Sequence, residues 1–136
     1  MRHLYLVAMF LFISITPLSA LAANAEGAKL DGKVFTGVVG EKGDKKGDPD
    51  NFEFVAGKFH STACDQYGYT SAPYSANMKN EKATTFSSTT KNEAGDTITW
   101  SGVVENDKIK GNAIRKTASG KTFKMWFNGT VKKQVG

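Results

Sequence analysis

The chain has 136 residues and a formal net charge of +5, with 18 lysines and arginines against 13 aspartates and glutamates. Its lysines are interspersed with acidic residues and threonines, and Arg115 is the single arginine beyond the first residues. The sequence therefore lacks the arginine- and aromatic-rich pattern of a nucleic-acid-binding surface, and we expect no nucleic-acid partner. A single cysteine excludes an intrachain disulfide, so we expect one domain stabilised by the burial of apolar side chains.

The N-terminus has the features of a bacterial secretory signal peptide. Arg2 precedes an apolar run over residues 4–15, and small residues that include Ala-x-Ala sites follow it. We predict that residues 1–22 form the signal peptide, with cleavage after Ala22 or, equally well, after Ala25. The apolar run falls short of the roughly 20 residues that a membrane-spanning helix needs. We therefore expect a periplasmic or secreted protein that is not inserted in a membrane after cleavage.

Residues 23–32 have no regular pattern and are predicted to be a flexible lead-in. Beyond them, apolar and polar residues alternate with the two-residue period of β-strands, and helical periodicity is absent. Segments rich in Gly, Asn and Asp separate the alternating segments, as turns do. The pattern predicts a β-domain over residues 33–133 with eight strands, at about 33–39, 51–56, 58–62, 73–79, 83–90, 96–105, 108–117 and 121–133.

The clearest alternation lies in the last three segments, which predict two consecutive hairpins. Phe123, Met125 and Phe127 fall on one face of the final strand. Trp126 falls on the other face, among lysines and polar residues. Asn106, between the two preceding segments, suits a tight turn because asparagine tolerates the left-handed backbone conformation.

Eight short antiparallel strands joined by turns favour an all-β fold, a single up-and-down barrel, because closure removes the exposed edges of an open sheet. A sandwich of two sheets is the alternative. The side chains predicted to face the barrel interior are mostly large and apolar: Phe52, Phe54, Phe59, Tyr74, Met78, Trp100, Ile109, Phe123, Met125 and Phe127.

Several stretches carry a resemblance to a group of proteins. The segments 100–111 and 121–130, the latter containing Trp-Phe-Asn-Gly-Thr, resemble the final hairpins of small exported bacterial β-barrel proteins of unknown function. The segments 57–69 and 72–74 are similar to the same group. In outline the chain also resembles avidin-like and other calycin barrels, which implies a calycin-like fold. No biotin-binding residue matches position by position, so the resemblance does not imply biotin binding.

Few residues are available for catalysis. The domain has one histidine, His60, and one cysteine, Cys64, too few for a zinc site built from several His and Cys ligands. A thiol–imidazole pair is the sharpest enzymatic hypothesis, but residues four apart on a straight strand lie about 13 Å apart, so contact requires the chain to turn after Ser61. The acidic loop over residues 40–50 lacks the ligand spacing of a known calcium loop. We expect no catalytic residue, no metal and no cofactor, with Cys64 and His60 as the candidates for a reactive thiol.

A binding role is easier to support. An eight-stranded barrel is wide enough either to be filled by side chains or to hold one small ligand. Gly111 and Ala113 would leave space inside, and Arg115, in phase with them at the strand end, would present a guanidinium at one mouth for an anionic group. The other candidate ligand-binding residues are aromatic: Trp100, Tyr67, Tyr69 and Tyr74.

We therefore predict an exported, non-catalytic binding or interaction module whose partner is a small apolar or anionic molecule held in the barrel. The alternative is an envelope or surface protein with a filled barrel core. Such a protein would act through protein–protein contacts made by Trp126 and the tyrosine-rich loop over residues 64–73. A thiol-dependent enzyme is the third hypothesis.

Overall fold

Strands form in this chain wherever the two-residue alternation allows one face of a segment to be buried. The structure is a computed structural model that describes residues 29–132. Its strands are β1 (Val34–Glu41), β2 (Asp48–Val55), β3 (Lys58–Ser61), β4 (Ala72–Met78), β5 (Ala83–Lys91), β6 (Thr97–Glu105), β7 (Lys108–Lys116) and β8 (Thr122–Val131). A short 3₁₀ helix, Thr62–Tyr67, connects β3 to β4. The predicted signal peptide lies outside the described residues.

Each strand pairs antiparallel with the next, and β1 also pairs with β8, so the ladder is closed. Along the closing pair, Phe35 lies opposite Val131 at one end and Glu41 lies opposite Met125 at the other. The prediction of an all-β, eight-stranded, antiparallel up-and-down barrel is confirmed, and the closed ladder excludes a sandwich of two sheets. Closure pairs both edges of every strand, which removes the surfaces on which sheets aggregate.

Large side chains fill the barrel interior. Neighbouring aromatic rings lie with their centroids between 5.0 and 6.5 Å apart, and most pairs are tilted or edge-on, as aromatic pairs prefer. The burial of this much apolar surface stabilises a domain that has no disulfide. The largest side chains with less than 2 % of their surface exposed are Trp100, Phe35, Phe52, Phe54, Phe59, Phe127, Ile98 and Ile109.

Most of the side chains predicted to face the interior are buried, and three are not. Met125 is partly buried against the core, and Phe123 has intermediate exposure near the barrel end. Met78 is 57 % exposed, so its assignment was wrong: it is the last residue of β4, where the barrel ends and nothing covers it. Phe35 and Phe86 are buried residues that the pattern did not assign, because β1 is apolar on both faces and β5 has a weak alternation.

Residues 29–32 close one end of the barrel, which we call the closed end. Leu30 is 2 % exposed, and its backbone N–H donates a hydrogen bond to Tyr74 Oη over 3.1 Å. The Tyr74 hydroxyl donates in turn to the Asp31 carboxylate over 2.8 Å, and the same carboxylate accepts the backbone N–H of Gly57 over 3.0 Å. These contacts fix the last residues of the segment that the sequence predicted to be a flexible lead-in.

Candidate functional site at the barrel mouth

The opposite end of the barrel, which we call the mouth, is partly covered by the 3₁₀ helix, and the buried Asp50 holds this helix in place. The Asp50 side chain belongs to the inward face of β2, and the residue is only 4 % exposed. Its carboxylate accepts hydrogen bonds from Ser61 Oγ over 2.5 Å, from the Ala63 backbone N–H over 2.9 Å and from Thr62 Oγ1 over 3.4 Å. Burial raises the pKa of the Asp50 carboxyl, and these donors oppose the rise.

A cavity of about 150 Å³ lies at the mouth, between the 3₁₀ helix and the ends of several strands. We call it the mouth cavity. Four of the candidate residues that the sequence singled out line it together: Cys64, Tyr67, Tyr69 and Arg115.

Arg115 supplies the positive charge of the mouth cavity. Its guanidinium carbon lies 4.5 Å from the centroid of the Phe123 ring, a cation–π contact that fixes the side chain at the end of β7. Arg115 Nε is buried and has no hydrogen-bond partner. Both ion pairs found within residues 29–132 involve His60, so no carboxylate in this part of the chain forms an ion pair with the guanidinium.

Tyr69 supplies a buried hydroxyl to the same cavity. The 3₁₀ helix ends at Gly68, whose φ of 81° is a left-handed conformation that glycine adopts readily, and the turn places Tyr69 inside the barrel. Tyr69 is 6 % exposed, and its hydroxyl has no hydrogen-bond partner. Burial raises the pKa of the Tyr69 phenol, so the group is a neutral donor at neutral pH. Tyr67 is 63 % exposed and lies at the rim.

Other residues of the mouth cavity were not singled out from the sequence. Glu41 ends β1 and Asp48 begins β2, and both line the cavity. Ile98 and Met125 provide an apolar wall. A signal for Asp48 was present in the sequence, because the inward phase of β2 that buries Asp50 also includes Asp48. No such signal exists for Glu41, because β1 is apolar on both faces.

Two of the candidate ligand-binding residues do not belong to the mouth cavity. Trp100 is fully buried in the core, and its indole N–H donates a hydrogen bond to Thr90 Oγ1 over 3.2 Å. Tyr74 belongs to the closed end, where its hydroxyl contacts Leu30 and Asp31. Both residues therefore contribute to the stability of the barrel and have no access to a ligand at the mouth.

Cys64 and His60 do not contact each other. The chain turns after Ser61, as contact would require, but the neighbour of the Cys64 thiol is Ser61: the Cys64 Sγ lies 3.3 Å from Ser61 Oγ, whose single proton is donated to Asp50. The His60 ring lies between two carboxylates, with Nε2 2.5 Å from Asp65 and Nδ1 3.4 Å from Glu53. Burial disfavours the charged imidazolium, but the two carboxylates outweigh it and raise the pKa of His60. For Cys64, burial raises the pKa of the thiol to about 11.

We expect Cys64 to be unreactive in the folded protein. The thiolate is the reactive form, and a buried thiol with a pKa of about 11 contains very little of it at neutral pH. Iodoacetamide at pH 7.5 should label the folded protein at least about a hundredfold more slowly than the same protein in urea, where the pKa returns to about 8.5. The His60→Ala variant should be labelled at the wild-type rate. Rapid labelling that slows in this variant would restore the hypothesis of a thiol–imidazole pair.

Comparisons of the chain with protein-family models, with curated proteins and with solved structures find no match. Within residues 29–132, no cluster of three or more His, Cys, Asp or Glu side chains has the geometry of a metal site. The same part of the chain contains no helix long and apolar enough to cross a membrane. The feature of the described residues that bears on function is therefore the mouth cavity with the residues that line it.

Proposed function

We propose that this protein is an exported, non-catalytic binding module that holds a small anionic ligand at the mouth of its barrel. The observation that carries the proposal is the state of Arg115. Its guanidinium lines a cavity, its Nε is buried without a partner, and no carboxylate within residues 29–132 forms an ion pair with it. A buried donor without a partner is costly, and an anion in the cavity removes this cost while forming charge-assisted hydrogen bonds.

The mouth is a better ligand site than the barrel interior. Gly111 was expected to leave space inside, but a Cβ at this position would lie 2.7 Å from the Phe127 ring and 2.2 Å from the backbone oxygen of Ser101. The neighbouring Ala113 is 1 % exposed. The small residues of β7 therefore accommodate aromatic side chains from other strands, and the interior is occupied by the core.

We also propose that the protein is exported and that its barrel is calycin-like. Export is supported by the basic start, the apolar run and the small-residue sites within residues 1–25. The calycin-like assignment is supported by the number of strands and by their up-and-down order. The lack of a catalytic role is supported by the raised pKa of Cys64 and by the separation of its thiol from His60.

A protein-contact role is the second candidate, and one observation favours it. Ile114 is 48 % exposed on the outer face of β7, beside Trp126 on β8 and between Lys42 and Lys124. However, the Trp126 indole N–H donates to the backbone oxygens of Glu41 and Asp44, over 3.1 and 3.0 Å, so this tryptophan fixes the loop between β1 and β2. These hydrogen bonds therefore already explain why Trp126 lies on the outer face.

The test compares Arg115→Met with Lys116→Met, using isovalerate as the probe and isothermal titration calorimetry as the measurement. Both variants remove one positive charge, but Lys116 is exposed at the end of β7 and does not line the cavity. Arg115→Met should weaken binding at least about tenfold, which corresponds to 1.4 kcal/mol, and Lys116→Met should leave it unchanged. Equal binding by the two variants, or no binding of any small carboxylate, isovalerate or valine, by the wild-type protein, overturns the proposal. Circular dichroism confirms that each variant is folded.

A further inference from the structure

Charges of both signs line the mouth cavity without pairing. Glu41 and Asp48 lie in the inward phase of β1 and β2, at the solvent-exposed rim, and Arg115 lies at the end of β7. Opposite charges attract each other, and the attraction is stronger where water is excluded. Neither carboxylate nevertheless lies within ion-pairing distance of the guanidinium.

The barrel itself keeps these charges apart. The strand β8 lies between β1 and β7, and its Met125 pairs with Glu41 on one side and with Ala113 on the other. The Met125 side chain therefore lines the cavity between the acidic rim and the basic rim. The contact with the Phe123 ring holds the Arg115 guanidinium on the β7 side of the cavity. The cavity has an acidic side, a basic side and an apolar wall between them.

We infer that the mouth cavity selects a zwitterion, a small molecule with a carboxylate and an ammonium group, of the class of α-amino acids with a short apolar side chain. The inference rests on the proposed function, and it adds that the ligand carries a positive charge as well as a negative one. The carboxylate of the ligand binds Arg115 and the neighbouring Tyr69 hydroxyl, while its ammonium faces Glu41 and Asp48. Its side chain lies against the apolar wall formed by Ile98 and Met125.

Ligands with a single charge fit this arrangement less well. A simple anion satisfies the guanidinium but meets two carboxylates, and a simple cation satisfies the carboxylates but meets the guanidinium, so each leaves one like-charge repulsion in place. A zwitterion neutralises both sides at once. The volume of about 150 Å³ also limits the ligand to a small molecule, since cavities for drug-sized ligands start at about 300 Å³.

The experiment uses three probes of nearly the same shape with the protein expressed from its full chain. Valine carries both charges, isovalerate lacks the ammonium, and isobutylamine lacks the carboxylate. Calorimetry should give valine a dissociation constant at least about tenfold below that of either analogue. The double variant Glu41→Gln/Asp48→Asn should bind valine and isovalerate equally. The control Glu105→Gln/Asp107→Asn makes the same charge change away from the mouth and should keep the wild-type preference for valine.

The first two of the following outcomes bear on the zwitterion inference alone, and the third bears on the proposed function as well. If isovalerate binds as tightly as valine and Arg115→Met abolishes its binding, the proposed anion site stands and the inference of a zwitterion is wrong. If the preference for valine survives in Glu41→Gln/Asp48→Asn, the assignment of the ammonium to these carboxylates is wrong. If none of the three probes binds, the inference and the proposed function both fail.

Discussion

Replacing Trp100 with alanine should lower the free energy of unfolding by about 3–5 kcal/mol, the range measured when large buried aromatic side chains are removed. The indole is fully buried, and its ring centroid lies 5.1 Å from that of Phe59, 5.4 Å from that of Phe127 and 6.2 Å from that of Phe52. Its loss removes contacts with several strands at once and leaves the Thr90 hydroxyl without its donor. Urea denaturation followed by circular dichroism measures the change, since the variant has lost a fluorophore.

The control for this variant is Tyr67→Ala. It also truncates an aromatic side chain, but Tyr67 is 63 % exposed and contributes little buried surface, so its free energy of unfolding should change by less than about 0.5 kcal/mol. A Trp100→Ala variant as stable as Tyr67→Ala would mean that the barrel interior is loosely packed. The side chains of the core would then not fill the barrel.

Replacing Gly111 with alanine should also destabilise the barrel strongly, by about 3 kcal/mol, at the upper end of the usual cost of overpacking. The added Cβ would lie 2.2 Å from the Ser101 backbone oxygen, 2.6 Å from Gly102 Cα and 2.7 Å from Phe127 Cζ. Two of these three atoms belong to the backbone of β6, so a change of side-chain rotamer cannot relieve the contact. The neighbouring strands have to separate, and the urea midpoint should fall accordingly.

Asn112→Ala is the matched control in the same strand. Asn112 is exposed on the outer face of β7, and a Cβ is already present there, so the variant should unfold within about 0.5 kcal/mol of the wild-type protein. Equal stability of the two variants would show that β7 has room for a methyl group on its inner face. The interior would then contain the space that the sequence suggested beside Gly111.

Much of the fold could be predicted because its strands are amphipathic and its turns are short. In β8 the alternation of Phe123, Met125 and Phe127 with residues that are polar except for Trp126 sets the inward phase, and Asn106 adopts the expected positive φ, of 54°, in the turn between β6 and β7. The phase of β1 could not be assigned, since Val34 and Val38 fall on one face, Phe35 and Val39 fall on the other, and both faces are therefore apolar. The burial of Leu30 could not be predicted either, because it depends on a hydrogen bond to Tyr74, distant in the sequence.

The candidate site was predicted only in part, for a related reason. Arg115 could be placed at the mouth from its phase within β7 alone. The presence of Cys64 and Tyr69 in the same cavity depends on the path of the 3₁₀ helix, which Asp50 fixes from another strand. Local patterns contain no information on such long-range contacts. The volume of a cavity is equally inaccessible from the pattern, because Phe127 fills the gap that Gly111 leaves.

The pairing of β1 with β8 has a consequence for the order in which this polypeptide acquires its structure. The hairpins between neighbouring strands can form as soon as both of their strands are available. The strand β1 can pair with β8 only after this last strand is available. Until Val131 reaches Phe35, two unpaired edges remain available to other molecules. The final step also brings the two ends of the domain together, with the Lys132 backbone N–H 2.7 Å from the Val34 carbonyl oxygen. A circular permutant, in which these ends are joined and the chain begins at another turn, would therefore keep every strand pairing.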